Sequence, residues 1–269
     1  MGKVKKDALG DRMKENYENR SKTYLTRRCP VIIRLDGKAF HSFTRGLKRP
    51  WDRVLHKAMV ETTKYLCANI QGCKLGYTQS DEITLLLTDF DTINTDAWFG
   101  YSVQKMCSIA ASMATLVFNR AFEREANEVA DAIFALQDTD TEKDYLRALD
   151  KCLTTGALFD ARCFSVPKEE VVNCFIWRQQ DATRNAVQML GQSHFSHKQL
   201  DHKTTGQIQD MLWKQHGINF NDMPVPFKRG VCVKREAIMK NGVERHAWVE
   251  DANIPIFTKD RSYIESLLP

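Results

Sequence analysis

The sequence predicts an α+β fold in which an antiparallel sheet carries its helices on one face. Short apolar or β-branched runs alternate with longer segments whose apolar residues recur at helical spacing. Their order is strand, helix, strand, strand, helix, strand, which is the split βαβ or ferredoxin-like arrangement. The six elements are predicted at residues 30–37, 51–70, 73–78, 83–88, 95–136 and 159–166.

The first strand is a β-branched run between Pro30 and Gly37. This composition is typical of a buried strand bounded by residues that interrupt regular structure. The strand carries Asp36 close to its end. A carboxylate is therefore expected at the edge of the sheet.

The first helix and a hairpin follow. Residues 51–70 place apolar side chains on one helical face, and Gly72 ends the helix. Two short apolar segments then flank the sequence Gln-Ser-Asp-Glu at 79–82. This pattern predicts a β-hairpin with Asp81 and Glu82 at its turn.

The remaining core is predicted as one long helix, or two in tandem, over 95–136, followed by a polar loop around 138–143, a short helical stretch and a strand at 159–166. The rest of the chain turns helical and polar and ends in a mixed, basic tail. We therefore expect a catalytic core at residues 1–168. A mainly helical C-terminal region, 169–269, should pack on that core.

The composition narrows the class of protein. A chain of 269 residues with 43% hydrophobic residues can bury a substantial core, and its net charge of +5 permits a polyanionic partner. The eight cysteines form no CxxC pair and lie mostly in apolar runs, so neither disulfides nor a cysteine zinc site is expected. No apolar stretch has the length of a membrane span, which predicts a cytoplasmic protein without membrane contact.

Two carboxylates are expected to meet at one edge of the sheet, because the first strand neighbours the hairpin in this topology. Asp36, Asp81 and the backbone carbonyl of Gly37, with Glu82 as a further candidate, form an all-oxygen site suited to Mg²⁺. Two such ions can bind both the attacking and the leaving oxygens in phosphoryl transfer. Either acid alone is equally an ordinary turn residue, so it is the pairing that indicates catalysis. Nucleotide polymerase palms use this fold.

Cationic side chains surround the acids, as a nucleoside triphosphate requires. The candidates are Arg34, Lys38, Arg45, Lys48, Arg49, Arg53 and Lys105. Any one of them is also explained as a solvated surface cation. Phe40, His41 and Phe43 interleave with these cations, so a base could stack there, although the same aromatic residues would suit a core.

The sequence supports neither a P-loop nor a histidine zinc site. No GxxxxGK[ST] run occurs, so phosphate binding has to come from side chains and metal. His194, His197 and His202 form an HxxH pattern with a third histidine, but no cysteine, carboxylate pair or HExxH accompanies them. We interpret them as solvated or partner-binding histidines.

Five motifs carry a resemblance to a known family. They are Arg-Leu-Asp-Gly-Lys-Ala-Phe-His at 34–41, Tyr-Thr-Gln-Ser-Asp-Glu at 77–82, Ile-Trp-Arg-Gln-Gln-Asp at 176–181, Gly-Ile-Asn-Phe-Asn at 217–221 and Lys-Arg-Gly at 228–230. The first two look like the paired metal motifs of the tRNA-His guanylyltransferase superfamily. The similarity covers most of residues 25–235.

The resemblance implies a polymerase-palm nucleotidyltransferase that acts on tRNA with ATP, GTP and other nucleoside triphosphates. Two Mg²⁺ ions would be bound by Asp36, Gly37 and Asp81, and the catalytic carboxylates would be Asp36, Asp81 and Glu82. The residues expected near the nucleotide are Arg34, Lys38, Phe40, His41, Arg49, Asp52, Ser80, Lys105 and Asn185. The residues expected to contact RNA are Arg178, Lys228 and Arg229. A homotetramer is also implied.

One departure from the family pattern bears on the substrate. Eukaryotic guanylyltransferases continue the Trp-Arg-Gln motif with His-Ile-Asn-Asn, whereas residues 182–186 here are Ala-Thr-Arg-Asn-Ala. The chain is therefore similar to the bacterial, archaeal or phage branch, for which the resemblance implies templated repair of 5′-truncated tRNA in the 3′-to-5′ direction. A 5′-monophosphate end would first be activated with ATP or GTP.

Three alternatives stay open. The first is a strict tRNA-His guanylyltransferase, and the second is a non-catalytic RNA-binding module in which the acids are structural. The third is another palm enzyme, such as a forward polymerase or a nucleotide cyclase. A cyclase would need a glycine-rich hairpin, which residues 79–82 lack.

Overall fold

A computed structural model describes residues 7–136, 140–240 and 243–269. Six antiparallel strands form one sheet in the order β4-β1-β3-β2-β5-β6. The strands are β1 Val31–Gly37, β2 Cys73–Gln79, β3 Glu82–Leu87, β4 Phe159–Ser165, β5 Val231–Lys240 and β6 Val243–Asp251. The helices are α1 Ala8–Met13, α2 Phe40–Phe43, α3 Arg53–Asn69, α4 Val103–Ala135, α5 Lys143–Thr155, α6 Val171–His194, α7 His197–Leu200, α8 Thr205–His216, α9 Val225–Arg229 and α10 Ser262–Glu265.

The predicted order of strands and helices in the core is confirmed. α5 is the helical stretch expected between the polar loop and β4, and α2 is an additional short helix. Residues 137–139 of the predicted polar loop lie outside the described residues. The basic tail contains β5 and β6, which the sequence did not predict. β5 pairs with β2, so the C-terminal part of the chain extends the sheet.

Strand alternation divides the core between the two faces of the sheet. Val31, Ile33 and Leu35 pack with buried residues of α3 and α4 on one face, as expected for the core helices. Ile32 lies on the opposite face with Leu86, where α6 packs. The sheet is therefore covered on both sides, once by core helices and once by the C-terminal part.

A close backbone approach fixes α9 beside the end of β2. Gly230 has φ of 80°, and a Cβ atom there would lie 2.6 Å from the carbonyl oxygen of Thr78, so the position suits glycine. The hydroxyl of Tyr77 donates to the carbonyl of Arg229 at 2.7 Å. In the described part of the chain, no helix has the length and hydropathy needed to cross a bilayer.

Candidate active site

The structure brings Asp36 and Asp81 together at one end of the sheet. Asp36 lies at the end of β1, and Asp81 lies in the turn between β2 and β3. The register pairs Asp36 with Glu82, and the amide of Gly37 donates to the carbonyl of Asp81 at 3.1 Å. These backbone contacts hold the two aspartates as neighbours.

The carboxylate of Asp81 is in an unfavourable environment for its charge. Burial raises the pKa of Asp81, and the negative charge of Asp36 raises it further, whereas a hydrogen bond involving Ser80 opposes the shift. Among the described residues, no lysine or arginine forms an ion pair with either aspartate. The arrangement therefore suits an added cation.

The backbone is strained near both acids, directly before Asp81 and three residues after Asp36. Ser80 and Ala39 each have φ of 54°, in the left-handed region that residues with a Cβ atom rarely occupy. Such residues cost of order 1–3 kcal/mol each and cluster at functional sites. Ser80 occupies the first turn position of the hairpin, where a left-handed conformation turns the chain within two residues.

Glu82 lies in an ion-pair network rather than beside the aspartates as a free carboxylate. One oxygen of Glu82 accepts from Arg178 Nε at 2.6 Å, and the other accepts from Arg178 Nη2 and Arg34 Nε, both at 2.9 Å. Arg178 also binds Asp181 at 2.6 Å, and its side chain is only 7% exposed. The geometry gives Glu82 a supporting position and places the side chain of Arg178 largely inside the protein.

A cavity of about 490 Å³ opens beside the aspartates. Its lining includes eight of the residues predicted from the sequence, namely Gly37, Phe40, His41, Lys48, Arg49, Asp52, Ser80 and Asp81. The sequence analysis missed the remaining walls, chiefly Trp51, Leu55, His56, Met59, Met189, Gln192 and Phe227. These residues come from segments far apart in the chain, so no local pattern could have shown that they share one cavity.

Two of the predicted residues have mainly structural contacts. Phe40 packs in an aromatic cluster, with ring centroids 5.0 Å from Phe43, 5.2 Å from Phe159 and 5.5 Å from Phe118. Asp52 is 3% exposed and caps α3, where its carboxylate accepts from the amides of Leu55 at 3.0 Å and Lys48 at 3.1 Å. Phe40 and Asp52 therefore shape the cavity wall.

Other predicted residues lie outside the cavity. Lys38 is exposed, and Asn185 is exposed on α6, four residues from both Asp181 and Met189 and hence on the same helical face. Lys105 lies towards the opposite end of the sheet. Two residues after it, Cys107 contacts Cys163, which pairs with the middle of β1.

The C-terminal cations lie beside the cavity wall. Lys228 and Arg229 end α9, directly after Phe227. The ammonium of Lys228 donates to the carbonyl of Asn221, and burial lowers the pKa of Lys228.

The histidine cluster contains no metal site in the residues that the structure describes. The ring of His194 lies 4.9 Å from that of His216, but no group of three or more His, Cys, Asp or Glu side chains could hold an ion.

The family model described as tRNAHis guanylyltransferase matches residues 10–167, more than half of the chain. An uncharacterized protein of Acanthamoeba polyphaga mimivirus is 29% identical, with 97% of this chain and 88% of that one covered. The tRNA(His) guanylyltransferase of Saccharomyces cerevisiae is 23% identical, with 77% of this chain and 83% of that one covered.

Solved structures that are similar to this chain have descriptions from the same family. A bacterial tRNA(His) guanylyltransferase-like protein in complex with ATP has a TM-score of 0.81 and 41% identity, with 97% of this chain and 99% of that one covered. A bacterial protein of the same description in complex with GTP has a TM-score of 0.77, 39% identity and the same coverage. The fold, the paired aspartates and these likenesses together identify the chain as a nucleotidyltransferase that belongs to the tRNA-His guanylyltransferase family.

Proposed function

We propose that this protein adds nucleotides to the 5′ end of tRNA in the 3′-to-5′ direction, directed by the opposite base, and so repairs 5′-truncated tRNA. One observation carries the proposal. Asp36 and Asp81 meet beside a cavity of about 490 Å³, a size typical of small-molecule sites. The relatives described as complexes with ATP and GTP support a nucleotide as its occupant.

We propose that Asp36, Asp81 and the carbonyl of Gly37 hold two Mg²⁺ ions. The residues fit this cation because all the donors are oxygens and the two carboxylates have no ion-pair partner among the described residues. When bound, Mg²⁺ would neutralise phosphate charge and favour phosphoryl transfer. Glu82 acts here by positioning the hairpin, since guanidinium groups take both of its oxygens.

The nucleotide is bound by groups on both sides of the acids. His41, Arg49 and Ser80 line the same cavity as Asp81 and supply donors for phosphate. Arg34, Lys38 and Asn185 lie outside its walls and would serve a second nucleotide or the RNA end.

The proposed nucleotide addition takes two steps when the RNA begins with a 5′-monophosphate. An oxygen of this phosphate attacks the α-phosphate of ATP, and pyrophosphate leaves. The 3′-hydroxyl of the incoming nucleotide then attacks the activated 5′ phosphate, and AMP leaves as the hydroxyl proton is lost. GTP can replace ATP in the first step, and a 5′-triphosphate end omits it. Both steps are in-line phosphoryl transfers that use the same aspartates.

The RNA backbone is proposed to contact Lys228 and Arg229, which end α9 beside the cavity wall. Charge reversal at both positions should weaken RNA binding and reduce its dependence on salt, without changing activation by ATP. An unchanged salt slope would refute this contact.

A homotetramer is proposed as the working assembly. Leu116, Leu153 and Leu158 are exposed around a surface groove of about 660 Å³, and an apolar surface of this kind supports contact with another copy. Sedimentation of the purified protein as a monomer at micromolar concentration would refute it.

Strict addition of guanosine to tRNA-His is the second candidate, favoured by the name of the Saccharomyces cerevisiae relative. It conflicts with the sequence at 182–186, where only one asparagine of the eukaryotic signature is present. The substrate test described next separates the two.

The test is incubation of the protein with Mg²⁺, all four nucleoside triphosphates and a labelled tRNA that lacks its first nucleotide, beside an Asp36→Ala control. We expect growth at the 5′ end, dictated by the opposite base, for several tRNA species. Growth restricted to guanosine on tRNA-His would favour the second candidate. No growth from either a monophosphate or a triphosphate end would overturn both.

A further inference from the structure

A second surface lies beside Asp36, on the face of the sheet that α6 covers. Arg34 and Asp36 are two residues apart in β1, so their side chains share the face of Ile32, which packs with buried residues of α6. Neither Arg34 nor Asp36 lines the cavity of about 490 Å³. Asp36 therefore borders a region of the molecule that is different from the cavity.

Trp177 in α6 supplies the aromatic part of this surface. Its ring centroid lies 5.7 Å from Cζ of Arg34 and 4.4 Å from Cζ of Arg178, so two guanidinium groups hold the indole beside β1. Trp177 nevertheless remains 48% exposed. A large indole that is fixed in place but accessible favours packing against a base.

Arg34 and Arg162 add positive charge to this surface. They are register partners in the neighbouring strands β1 and β4, so their side chains lie on the same face. Arg34 uses Nε for Glu82, and its two terminal amino groups form no ion pair within the described part of the chain. Arg162 binds Asp160 at 2.9 Å in an exposed pair, and such surface pairs contribute little stability. Both guanidinium groups are therefore available to a phosphate.

The shape of this surface suits RNA better than a free nucleotide. β4 is the edge strand of the sheet, so the surface around Trp177 and Arg162 is open rather than enclosed. The stem of a folded RNA is too wide to enter a cavity of about 490 Å³, but its last base pair can lie flat against an exposed indole. In-line phosphoryl transfer also brings the attacking and the leaving groups to opposite sides of one phosphorus atom. Two substrates that approach Asp36 from different regions meet this requirement.

We propose that Trp177 packs against the terminal base pair at the 5′ end of the RNA stem, while Arg34 and Arg162 bind the adjoining phosphates. This inference rests on the proposed function and specifies the surface that receives the RNA. The end of a duplex presents a flat apolar face whatever the base pair. The contact therefore positions a 5′ end beside Asp36 without selecting one tRNA species.

The test compares two RNAs by fluorescence anisotropy. One is a hairpin whose stem ends in a 5′-triphosphate, and the other is a dumbbell of the same stem closed by a loop at each end. Trp177→Ala should weaken hairpin binding about tenfold to a hundredfold, the usual effect of losing one base–aromatic contact. It should change dumbbell binding by less than about twofold, because that RNA has no end to pack against the indole. Trp177→Phe should retain most of the affinity for the hairpin.

Three further measurements isolate the contact. Trp213→Ala removes a 62% exposed indole on α8 and should leave the binding of both RNAs unchanged. Trp177→Ala should bind ATP within about twofold of the wild type, because Trp177 does not line the cavity, and this also shows that the variant is folded. Arg162→Ala should reduce the salt slope of hairpin binding by about one.

The outcomes separate this inference from the proposed function. If Trp177→Ala weakens the binding of both RNAs equally, or of neither, the inference fails even where the wild type extends tRNA. An unchanged salt slope for Arg162→Ala would overturn the phosphate contact, however Trp177→Ala behaves. If hairpin binding depends on Trp177 but the wild type extends no tRNA, the inference stands and the proposed function fails.

Discussion

At the scale of single residues, the site contains one carboxylate whose charge is disfavoured and one position that has no space for a side chain. Asp81 is a carboxylate whose charge is disfavoured by burial and by Asp36. Gly37 is a position where the backbone passes so close to an aromatic ring that a side chain has no space. Each feature leads to a prediction about the protein without its ligands.

Asp81→Asn should raise the melting temperature of the metal-free protein in EDTA at about pH 7. The folded-state pKa of Asp81 lies above its unfolded value, so the ionised carboxylate opposes folding once the pH exceeds the folded-state pKa. Below the ordinary carboxyl pKa of about 4 the difference in melting temperature should vanish, because the group is protonated in both states. The same variant should lose nucleotidyl transfer by at least about a hundredfold. A lower melting temperature than wild type at neutral pH would contradict this account.

Gly37→Ala should destabilise the protein by about 1–3 kcal/mol. An added Cβ atom would lie 2.2 Å from the ring of Phe40, which neighbouring aromatic rings hold in place. Thermal denaturation measures the loss. The control is Gly206→Ala in the first turn of α8, where the nearest atom is 4.0 Å from the added Cβ, and this change should be neutral or slightly stabilising. Equal melting temperatures for both variants would show that the Phe40 ring moves aside to accommodate the added Cβ atom.

At the scale of elements, α6 is connected to the hairpin through one side chain. Arg178 in α6 binds both oxygens of Glu82, which follows Asp81 in the hairpin. The guanidinium of Arg178 also lies 4.4 Å from the ring centroid of Trp177. A helix from the C-terminal part thereby helps to hold the turn that carries Asp81.

Arg178→Met should destabilise the protein by about 3 kcal/mol, because it leaves the largely buried carboxylate of Glu82 with Arg34 as its one charged partner among the described residues. Arg184→Met is the matched control on the same helix. It removes a 55% exposed guanidinium from Asp181 and should cost at most about 1 kcal/mol. Chemical denaturation measures both. If the two variants lose similar free energies of unfolding, the ion-pair network of Glu82 does not stabilise the hairpin.

The sequence predicted the core elements well because their patterns are local. The β-branched run that forms β1 and the polar turn that carries Asp81 can each be recognised within ten residues, and the topology then brings them together. The network of Glu82 could not be predicted in this way. Arg178 is 96 residues from Glu82, and nothing in its own motif shows which acid it binds.

At the scale of the whole molecule, the two parts of the chain share one sheet. β5 pairs with β2 and carries β6 beside it, while α6 covers the face that the core helices leave free. The sequence did not predict these strands, because the tail lacks the strict alternation of a half-buried strand and most of β6 is exposed or only partly buried. We propose that residues 169–269 pack on the 1–168 core as a dependent region.

This proposal predicts that the two parts unfold together. Trp98 in the core and Trp248 in β6 report on different parts of the chain. Variants that retain one of these as the only tryptophan should give coincident transitions in guanidinium chloride, and both should match the loss of far-ultraviolet circular dichroism. An earlier transition at Trp248 would mean that the C-terminal part unfolds alone.

The walls of the cavity are encoded in both halves of the gene. Arg49 and Asp81 come from the first half, whereas Met189, Gln192 and Phe227 come from the second half. Changes in the later codons can therefore reshape part of the cavity while the acid and its neighbouring donor are inherited unchanged. Chimeras that exchange the second half between relatives measure how much of the substrate preference depends on that part.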